Sequence, residues 1–242
     1  MPTVLITGAN RGIGLGFVRQ YATEGWEVIA CCRSPQSADD LNALATQSAT
    51  SNGCRVQVEQ MDVADHASVD ALARKYAGKP MDVLINNAGV PGPRGDNREF
   101  IFKQMFGTID YAAWDDVFRI NTMGALKVSE AFAENVAASA EKKIVAVSST
   151  MGSIQEGTMP VFIYGSSKAA SNWVVSMMAH ELKDRGIIAM TFCPGHVRTD
   201  MGGPEAPVEV EDSVSGMRKI IAGLTLDDTG SFKRFDGETV AW

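Results

Sequence analysis

The chain has 242 residues, a formal net charge of −7 and 45% hydrophobic residues. This length and apolar content suffice for one domain with a large buried core, and the negative charge argues against a nucleic-acid-binding surface. No apolar stretch approaches the roughly 20 residues that cross a bilayer, and Met1-Pro2-Thr3 leaves no room for a secretory signal before the first predicted strand. The sequence therefore predicts a soluble, cytoplasmic protein whose single domain spans residues 1–242, with no nucleic-acid or membrane partner.

The cysteines and histidines bear on redox state and metal binding. Cys31, Cys32, Cys54 and Cys193 have neither the density of a disulfide framework nor the spacing of metal ligands, which fits a reducing compartment. The three histidines are scattered along the chain. We therefore predict no metal site.

A strand is predicted over residues 4–7, followed at once by a glycine-rich turn and a helical pattern. Gly8 allows a sharp turn, Gly12 lets the backbone approach a pyrophosphate, and Gly14 lets the helix pack on the strand. The helix N-terminus favours an anion. The spacing, Gly-x3-Gly-x-Gly, departs from the usual dinucleotide fingerprint, and a simple loop is the alternative. The turn predicts a phosphate-binding site made by Gly8, Asn10, Arg11, Gly12, Ile13 and Gly14.

The second predicted strand, residues 28–32, ends without the carboxylate that commonly holds the ribose hydroxyls of NAD. Arg33 follows the strand, and Arg11 in the glycine turn adds a second cation on the same side. The planar fork of arginine donates two parallel hydrogen bonds to a phosphate. We therefore predict NADPH as the cofactor, with Ser34 as an extra donor; the alternative is that both arginines are solvated surface charges.

Strand-like runs continue to alternate with helical patterns along the rest of the chain. They cover residues 56–61, 83–86, 144–148 and 188–193. Such alternation predicts an α/β fold of the Rossmann type: a doubly wound parallel sheet of about seven strands, with helices on both faces.

Ser149 follows the strand at residues 144–148, and Tyr164 and Lys168 follow with a spacing of four residues. Positions i and i+4 share one face of a helix, so the phenol and the ammonium are expected to point into one cleft that faces the serine hydroxyl. The ammonium is expected to lower the pKa of the phenol toward the range of a general acid or base. Ser148 is the rival for the serine role. Ser149 lacks a Gly-x-Ser-x-Gly elbow, which disfavours nucleophilic attack by a Ser-His-Asp triad.

Four signatures, in this order and spacing, resemble the short-chain dehydrogenase/reductase family over nearly the whole chain. They are the turn from Thr7 to Gly14, Asn86-Asn87-Ala88-Gly89 after the fourth strand, Ser149 with Tyr164 and Lys168, and Pro194-Gly195 after the sixth strand. The last stretch, from Gly230 to Trp242, is similar to the C-factor and sniffer-type carbonyl reductases of that family.

The resemblance implies further site residues. Asn121 falls where the family places a fourth catalytic residue, and a helix-surface amide is the alternative. Asp62 resembles the position that contacts adenine, and a helix cap is its alternative role. Strand-end turns explain the remaining positions equally well without a function. The implied cofactor-binding set comprises Asp62, Val63, Asn87, Ala88, Gly89, Tyr164, Lys168, Pro194, Gly195, Val197 and Thr199.

These features predict a reversible NADPH-dependent reduction of a ketone or aldehyde to an alcohol. The nicotinamide delivers the hydride, Tyr164 the proton, and Ser149 holds the carbonyl oxygen. By resemblance, Lys168 bonds the nicotinamide ribose and Asn121 helps to hold a water that resupplies the proton. The alternatives are a non-catalytic NADP(H)-binding signalling or sensor protein on the same fold, and an enoyl reductase, which the spacing of Tyr164 and Lys168 disfavours.

Two segments are predicted to form the walls of the substrate pocket, residues 91–107 and 199–214. The first is rich in Phe and Met, which suits a small, largely apolar carbonyl compound. The second begins with Gly202-Gly203-Pro204 and shows no helical periodicity, so we predict a mobile lid. A helix predicted over residues 164–185 carries Trp173 and Met177 in a wide apolar arc, which leaves a homodimer and a monomer both open.

Overall fold

A computed structural model describes residues 1–49, 55–93 and 103–242. Within them, seven strands form one sheet in the order β3-β2-β1-β4-β5-β6-β7, and each neighbouring pair is parallel. The strands are β1 Thr3–Thr7, β2 Glu27–Cys32, β3 Arg55–Gln60, β4 Val83–Asn86, β5 Lys143–Val147, β6 Ile188–Cys193 and β7 Phe232–Arg234.

Helices cover both faces of this sheet. Alternate residues of β1 point to opposite sides: Val4 and Ile6 belong to one core cluster, whereas Leu5 belongs to the other. The helices are α1 Gly12–Thr23, α2 Asp39–Ala49, α3 His66–Lys75, α4 Tyr111–Phe118, α5 Ala125–Ala137, α6 Phe162–Leu182 and α7 Val210–Gly223, with a π-helical turn, Arg119–Gly124, between α4 and α5. The first cluster packs beneath α1, α2 and α7, and the second beneath α3, α5 and α6.

The central strands are apolar along nearly their whole length. Every residue of β5 and β6 is buried, and β1 is buried after Thr3. A strand covered by helices on both faces must be apolar on both faces, which is why these runs do not alternate. The predicted α/β fold with a doubly wound parallel sheet is confirmed, and two of the predicted strands, residues 83–86 and 188–193, have the bounds expected from the sequence.

The seventh strand, β7, was not located by the sequence patterns. Only Phe232 of its three residues is buried. Lys233 and Arg234 make ion pairs with Asp228 and Glu156 instead of packing in the core. A strand this short, with charged residues at the edge of a sheet, has no apolar periodicity to detect.

The segment predicted as a lid at residues 199–214 is partly helical, so its predicted end is wrong. Helix α7 begins at Val210. A side chain at Gly16 of α1 would lie 2.6 Å from Val210 and 3.1 Å from Val214, which shows how closely this first turn of α7 packs against α1. Of the other predicted wall, residues 94–102 lie outside the described residues, as does Cys54.

Within the described ranges, no helix combines the length and the apolar character that crossing a bilayer requires. The three cysteines in those ranges, Cys31, Cys32 and Cys193, are buried and free. No three His, Cys, Asp or Glu side chains gather there as a metal-binding group.

The close packing of α1 against β1 gives a stability prediction. A Cβ at Gly14 would overlap the carbonyl oxygen of Gly8 and lie 2.6 Å from Nδ2 of Asn87. Because the overlap is with backbone, Gly14→Ala is expected to lower the free energy of unfolding by about 1–3 kcal/mol. The matched control is Gly223→Ala at the end of α7, where a Cβ meets nothing within 4 Å and a gain of up to about 1 kcal/mol is expected. Urea unfolding of both variants measures the difference, and equal effects would contradict this packing.

Candidate active site

The functional motifs of the sequence meet at one edge of the sheet, where the parallel strands have their carboxyl ends. The glycine turn follows β1, residues 86–89 end and follow β4, Ser148 and Ser149 follow β5, and Pro194 follows β6. The strand order reverses between β1 and β4, because β2 and β3 lie on one side of β1 while β5 and β6 lie on the far side of β4. Open parallel sheets bind their ligands at such a switch point.

The glycine turn is held in place by the residues that follow β4. Nδ2 of Asn87 donates to the carbonyl oxygens of Thr7, at 2.9 Å, and Gly8, at 3.1 Å. Oγ1 of Thr7 accepts from the backbone N–H groups of Asn87 and Ala88. Gly8 has a φ of +63°, and a Cβ there would lie 2.9 Å from Cα of Ala88. Asn87, predicted as a cofactor contact, thus supports the glycine turn through hydrogen bonds to the backbone of that turn.

Helix α1 begins beside this turn with features of an anion site. Its N-cap residue, Arg11, makes no side-chain capping hydrogen bond, and the first turn holds no acidic residue. The N–H groups of a helix's first turn have no intrahelical partner, and the helix dipole favours negative charge there. Gly12 adopts a φ of +53°, and a Cβ there would approach the Thr199 methyl to 3.2 Å. The N-terminus of α1 is therefore uncapped by any side chain and is surrounded by Asn10, Arg11, Gly12 and Ile13.

The two arginines predicted to bind a phosphate are in different electrostatic situations. Nη1 of Arg11 lies 2.8 Å from Oδ2 of Asp200, and both side chains are largely exposed. Arg33 is exposed just after β2, and its guanidinium has no ion-pair partner within the described residues. Ser34 stands exposed next to Arg33 at the start of a short 3-10 turn. Of the two arginines, Arg33 is therefore the one whose charge is not already paired with a carboxylate of the described residues.

Asp62 and Val63 follow β3 on the same edge. Oδ1 of Asp62 accepts from the N–H of Ala64 at 3.0 Å. The N-cap of α3 is Asp65, whose side chain accepts from Ala67. The alternative role of Asp62 as the cap of the next helix is therefore wrong, since a second aspartate three residues later does that work. Val63 is buried against Gly124 of the π-helical turn.

Tyr164, Lys168 and Ser149 meet at the first turns of α6. Nζ of Lys168 donates to the carbonyl oxygen of Val147 at 2.9 Å and lies 5.7 Å from the centre of the Tyr164 ring. The hydroxyl of Ser149 lies close enough to the Tyr164 phenol to lower its pKa, and it accepts from the N–H of Met151. Oγ of Ser148 is buried and has no hydrogen-bond partner within the described residues. Of the two rival serines, Ser149 is thus the one that reaches the phenol.

Burial dominates the protonation of this group. It raises the pKa of Tyr164 to about 12, against a smaller lowering by the hydrogen bond with Ser149. It lowers the pKa of Lys168 to about 8. Both shifts have one cause: removal from water disfavours the charged form of either group. The prediction that the pKa of the phenol is lowered is therefore wrong for the protein alone, because desolvation raises it above its usual value.

Asn121 lies in the π-helical turn and is buried, so its alternative role as a surface amide is wrong. Its Oδ1 accepts from the N–H of Val90 at 2.8 Å, and its Nδ2 donates to the carbonyl oxygen of Val90 and to Oγ of Ser167. A Cβ at Gly89 would lie 3.3 Å from Oδ1 of Asn121 and 3.4 Å from Nζ of Lys168. Gly89 thus lets these two side chains approach each other, and π-helical turns are frequent at functional sites.

The residues after β6 form the opposite side of the cleft. Oγ of Ser213 donates to the carbonyl oxygen of Pro194 at 2.7 Å. Gly195 has a φ of +82°, and a Cβ there would lie 2.9 Å from the ring of Phe235. Val197 is buried and forms a bridge with Val208, and Thr199 reaches the glycine turn.

Sequence reasoning missed three residues that shape this edge. Asp200 forms an ion pair with Arg11. The carbonyl oxygen of Val90 accepts a hydrogen bond from Asn121, and the carbonyl oxygen of Val147 accepts one from Lys168. Two of the three act in part or wholly through a backbone carbonyl, which no side-chain pattern reveals. Asp200 and Arg11 lie 189 positions apart, so only the folded chain brings the two charges together.

Large apolar side chains are exposed near the start of α6. Phe106 and Phe162 are 87% and 40% exposed, and their ring centres are 6.3 Å apart. Met159 and Met201 are also exposed, whereas Met151 is half-buried. Further along α6, Trp173 and Met177 are exposed while Val175 and Met178 are buried. The predicted arc of α6 therefore divides into a core face and an exposed apolar face.

Comparison with known proteins gives a consistent result. The family model described as short chain dehydrogenase matches residues 2–209. C-signal of Myxococcus xanthus is 37% identical over 173 residues, which cover 71% of this chain and 99% of that protein. The NADPH-bound carbonyl reductase from chicken fatty liver has a TM-score of 0.86 and 31% identity, covering 100% of this chain and 99% of that one. The carbonyl reductase Sniffer of D. melanogaster has a TM-score of 0.85 and 25% identity, covering 100% of both chains.

The lowered pKa of Lys168 predicts a pH-dependent stability. The unfolded lysine, with a pKa near 10.5, binds a proton that the folded lysine releases above about pH 8. Between these values the unfolded state binds more protons, so stability rises with pH. Burial of this ammonium costs on the order of 3 kcal/mol below pH 8, and the cost disappears toward pH 10.5.

Lys168→Met, which removes the charge, is therefore expected to gain stability over the parental protein most at pH 7 and least at pH 10. Urea unfolding of both proteins without added nucleotide measures this difference, from which the titration of the shared groups largely cancels. A difference that stays constant across this pH range would contradict the lowered pKa.

Proposed function

This chain belongs to the short-chain dehydrogenase family, and from that premise we propose that it is an NADPH-dependent carbonyl reductase. It reduces a ketone or aldehyde reversibly to an alcohol. The observation that supports the proposal is that Ser149, Tyr164 and Lys168 lie close together at the same edge of the sheet as the glycine turn, where a proton donor could serve a bound nucleotide. The NADPH bound to the chicken fatty liver reductase, and the name of that enzyme, support the cofactor and the reaction.

The residues at the sheet edge fit this cofactor. A Cβ at Gly8 or Gly14 would occupy the space that keeps the turn tight, and the uncapped N-terminus of α1 suits a pyrophosphate. Arg33, with Ser34 beside it, would hold the 2′-phosphate. Arg11 would assist only after it gives up part of its pair with Asp200. The nicotinamide end would lie between Tyr164 and Lys168 on one side and the segment after β6 on the other. The residues of that segment are Pro194, Gly195, Val197 and Thr199. The adenosine end would lie along Asp62, Val63, Asn87, Ala88 and Gly89.

Bound nicotinamide supplies or accepts the hydride, and the chain manages the proton. A phenol whose pKa is about 12 stays protonated at neutral pH, so Tyr164 holds a proton ready for an alkoxide. Ser149 holds the carbonyl oxygen by a hydrogen bond next to that phenol. Lys168, with a pKa of about 8, is the nearest group able to return a proton at physiological pH. Asn121 fixes the backbone at Val90 by a hydrogen bond. Together with Gly89, it leaves only a narrow space beside the Lys168 ammonium.

The apolar side chains near the cleft support a small, largely apolar substrate. Phe106, Met159 and Phe162 expose apolar surface around the start of α6, and Met201 does so in the segment after β6. Flexible methionine and aromatic side chains adapt to the shape of such a carbonyl compound. The buried free cysteines support a reducing compartment such as the cytoplasm, and the exposed Trp173 and Met177 make a homodimer the assembly to test.

Tyr164→Phe tests the proton donor. It removes one hydroxyl, so we expect turnover to fall by about 10²–10⁴-fold, while the dissociation constant for NADPH stays within about threefold. The measurement is loss of NADPH absorbance with a panel of activated ketones and aldehydes, together with NADPH binding by fluorescence. Tight NADPH binding without turnover in the parental protein would instead favour a signalling or sensor protein on this fold.

Arg33→Ala tests the 2′-phosphate contact. Loss of a charged, two-pronged hydrogen bond is expected to weaken NADPH binding by about 10- to 100-fold and to leave NADH binding nearly unchanged. Arg74→Ala, which removes an equally exposed arginine from the far end of α3, is the matched control for net charge. If Arg33→Ala weakened both nucleotides equally, or neither, Arg33 would not select the phosphate.

A further inference from the structure

Helix α6, which carries Tyr164 and Lys168, begins without a cap of its own. Its N-cap residue is Val161, whose side chain has no polar atom, and its first turn contains no acidic residue. The first backbone N–H groups of a helix have no intrahelical acceptor and need one from elsewhere. The first N–H group to make a helical hydrogen bond is that of Gly165, which donates to the carbonyl oxygen of Val161. The N–H groups of residues 162–164 therefore need other acceptors.

Gln104, 60 positions before Tyr164 in the sequence, accepts from two of these three N–H groups. Its backbone carbonyl oxygen accepts from the N–H of Phe162 at 3.0 Å. Its side-chain Oε1 accepts from the N–H of Tyr164 at 2.8 Å. Gln104 is completely buried, and a polar side chain is rarely buried so fully unless its hydrogen bonds are made.

The other end of the same amide is bonded to the chain after β4. Nε2 of Gln104 donates to the carbonyl oxygen of Pro91 at 3.0 Å. The next residue is Gly92, where a Cβ would lie 2.6 Å from Nε2 of Gln104. Glycine at position 92 thus leaves the space that the amide fills. One side chain therefore connects the continuation of the central strand β4 with the backbone of the tyrosine itself.

We propose that Gln104 is a positioning residue that fixes Tyr164 relative to the central strands through the buried amide bridge from Pro91 to the Tyr164 N–H. This proposal rests on the proposed function. The phenol lies at the end of a side chain whose backbone is held at its N–H by Gln104, so a shift there moves the proton donor. A misplacement of about 1 Å costs on the order of 10²-fold in rate.

Amide hydrogen exchange tests the contact without any reaction. The chain has four tyrosines, so [15N]tyrosine labelling gives four backbone signals, and Tyr164→Phe identifies the one from Tyr164. Gln104→Met keeps the length of the side chain without its polar atoms, and exchange at Tyr164 is expected to become at least about tenfold faster. Gln104→Glu keeps an acceptor and is expected to retain most of the protection. Unchanged exchange in Gln104→Met would overturn the proposal.

Kinetics then test positioning against a purely structural role. Gln104→Met is expected to lower kcat by about 10- to 100-fold, with NADPH affinity within about twofold, and Gln104→Glu to recover much of the loss. The control is Asp65→Ala, which removes a cap from α3 and should leave kcat within about twofold. If Gln104→Met kept full kcat despite faster exchange, the proposal would fail. Were Gln104→Met not to fold, Gln104→Asn, one methylene shorter, would be judged by the same criteria.

The two proposals fail in distinguishable ways. A parental protein that binds NADPH but turns over no carbonyl compound would overturn the proposed function. The exchange comparison would still decide whether Gln104 holds Tyr164, because it needs neither cofactor nor substrate. Normal turnover in the parental protein with unchanged kcat in Gln104→Met would overturn only the role of Gln104.

Discussion

The approach of the glycine turn to the chain after β4 is the contact on which the rest of the site depends. Thr7 accepts three hydrogen bonds from the chain after β4, two from Asn87 and one from Ala88, and Gly8 and Gly14 make room for them. Because the strand order reverses at this point, the turn is flanked by the end of β4 on one side and the end of β2 on the other. The proposed phosphate site and the start of the proposed catalytic cleft thus share one support.

The second constraint is burial at the start of α6. The same removal from water raises the pKa of Tyr164 and lowers that of Lys168, so both groups are biased toward their neutral forms. A phenol that stays neutral can donate a proton, and an amine whose pKa of about 8 lies near neutral pH can both release a proton and regain it. Folding thus places two groups with shifted pKa values side by side, as the proposed proton transfer would require.

The sequence predicted most of the fold because the central strands are buried on both faces, and that leaves long apolar runs separated by helical patterns. It did not locate β7, whose three residues include two charged side chains in ion pairs, or the start of α7 at Val210. The site motifs were found because each follows a strand directly. The direction of the pKa shift of Tyr164 was not predicted, because its desolvation depends on all the residues packed around it.

The contacts that escaped prediction share a physical origin. Gln104 and Tyr164, like Arg11 and Asp200, are far apart in sequence, and in each pair one partner lies in a segment with no periodicity. The two pairs differ in strength. The exposed ion pair is worth about 0–1 kcal/mol, so a phosphate that binds Arg11 by two parallel hydrogen bonds competes with it readily.

The amide of Gln104 is completely buried, so solvent does not reach its partners, and losing the amide leaves unsatisfied groups that cost about 1–3 kcal/mol each. The chain therefore combines an exchangeable contact at the proposed phosphate site with a fixed contact at the proposed proton donor. Such a division would suit the proposed reaction, because a cofactor has to enter and leave while the tyrosine stays in place.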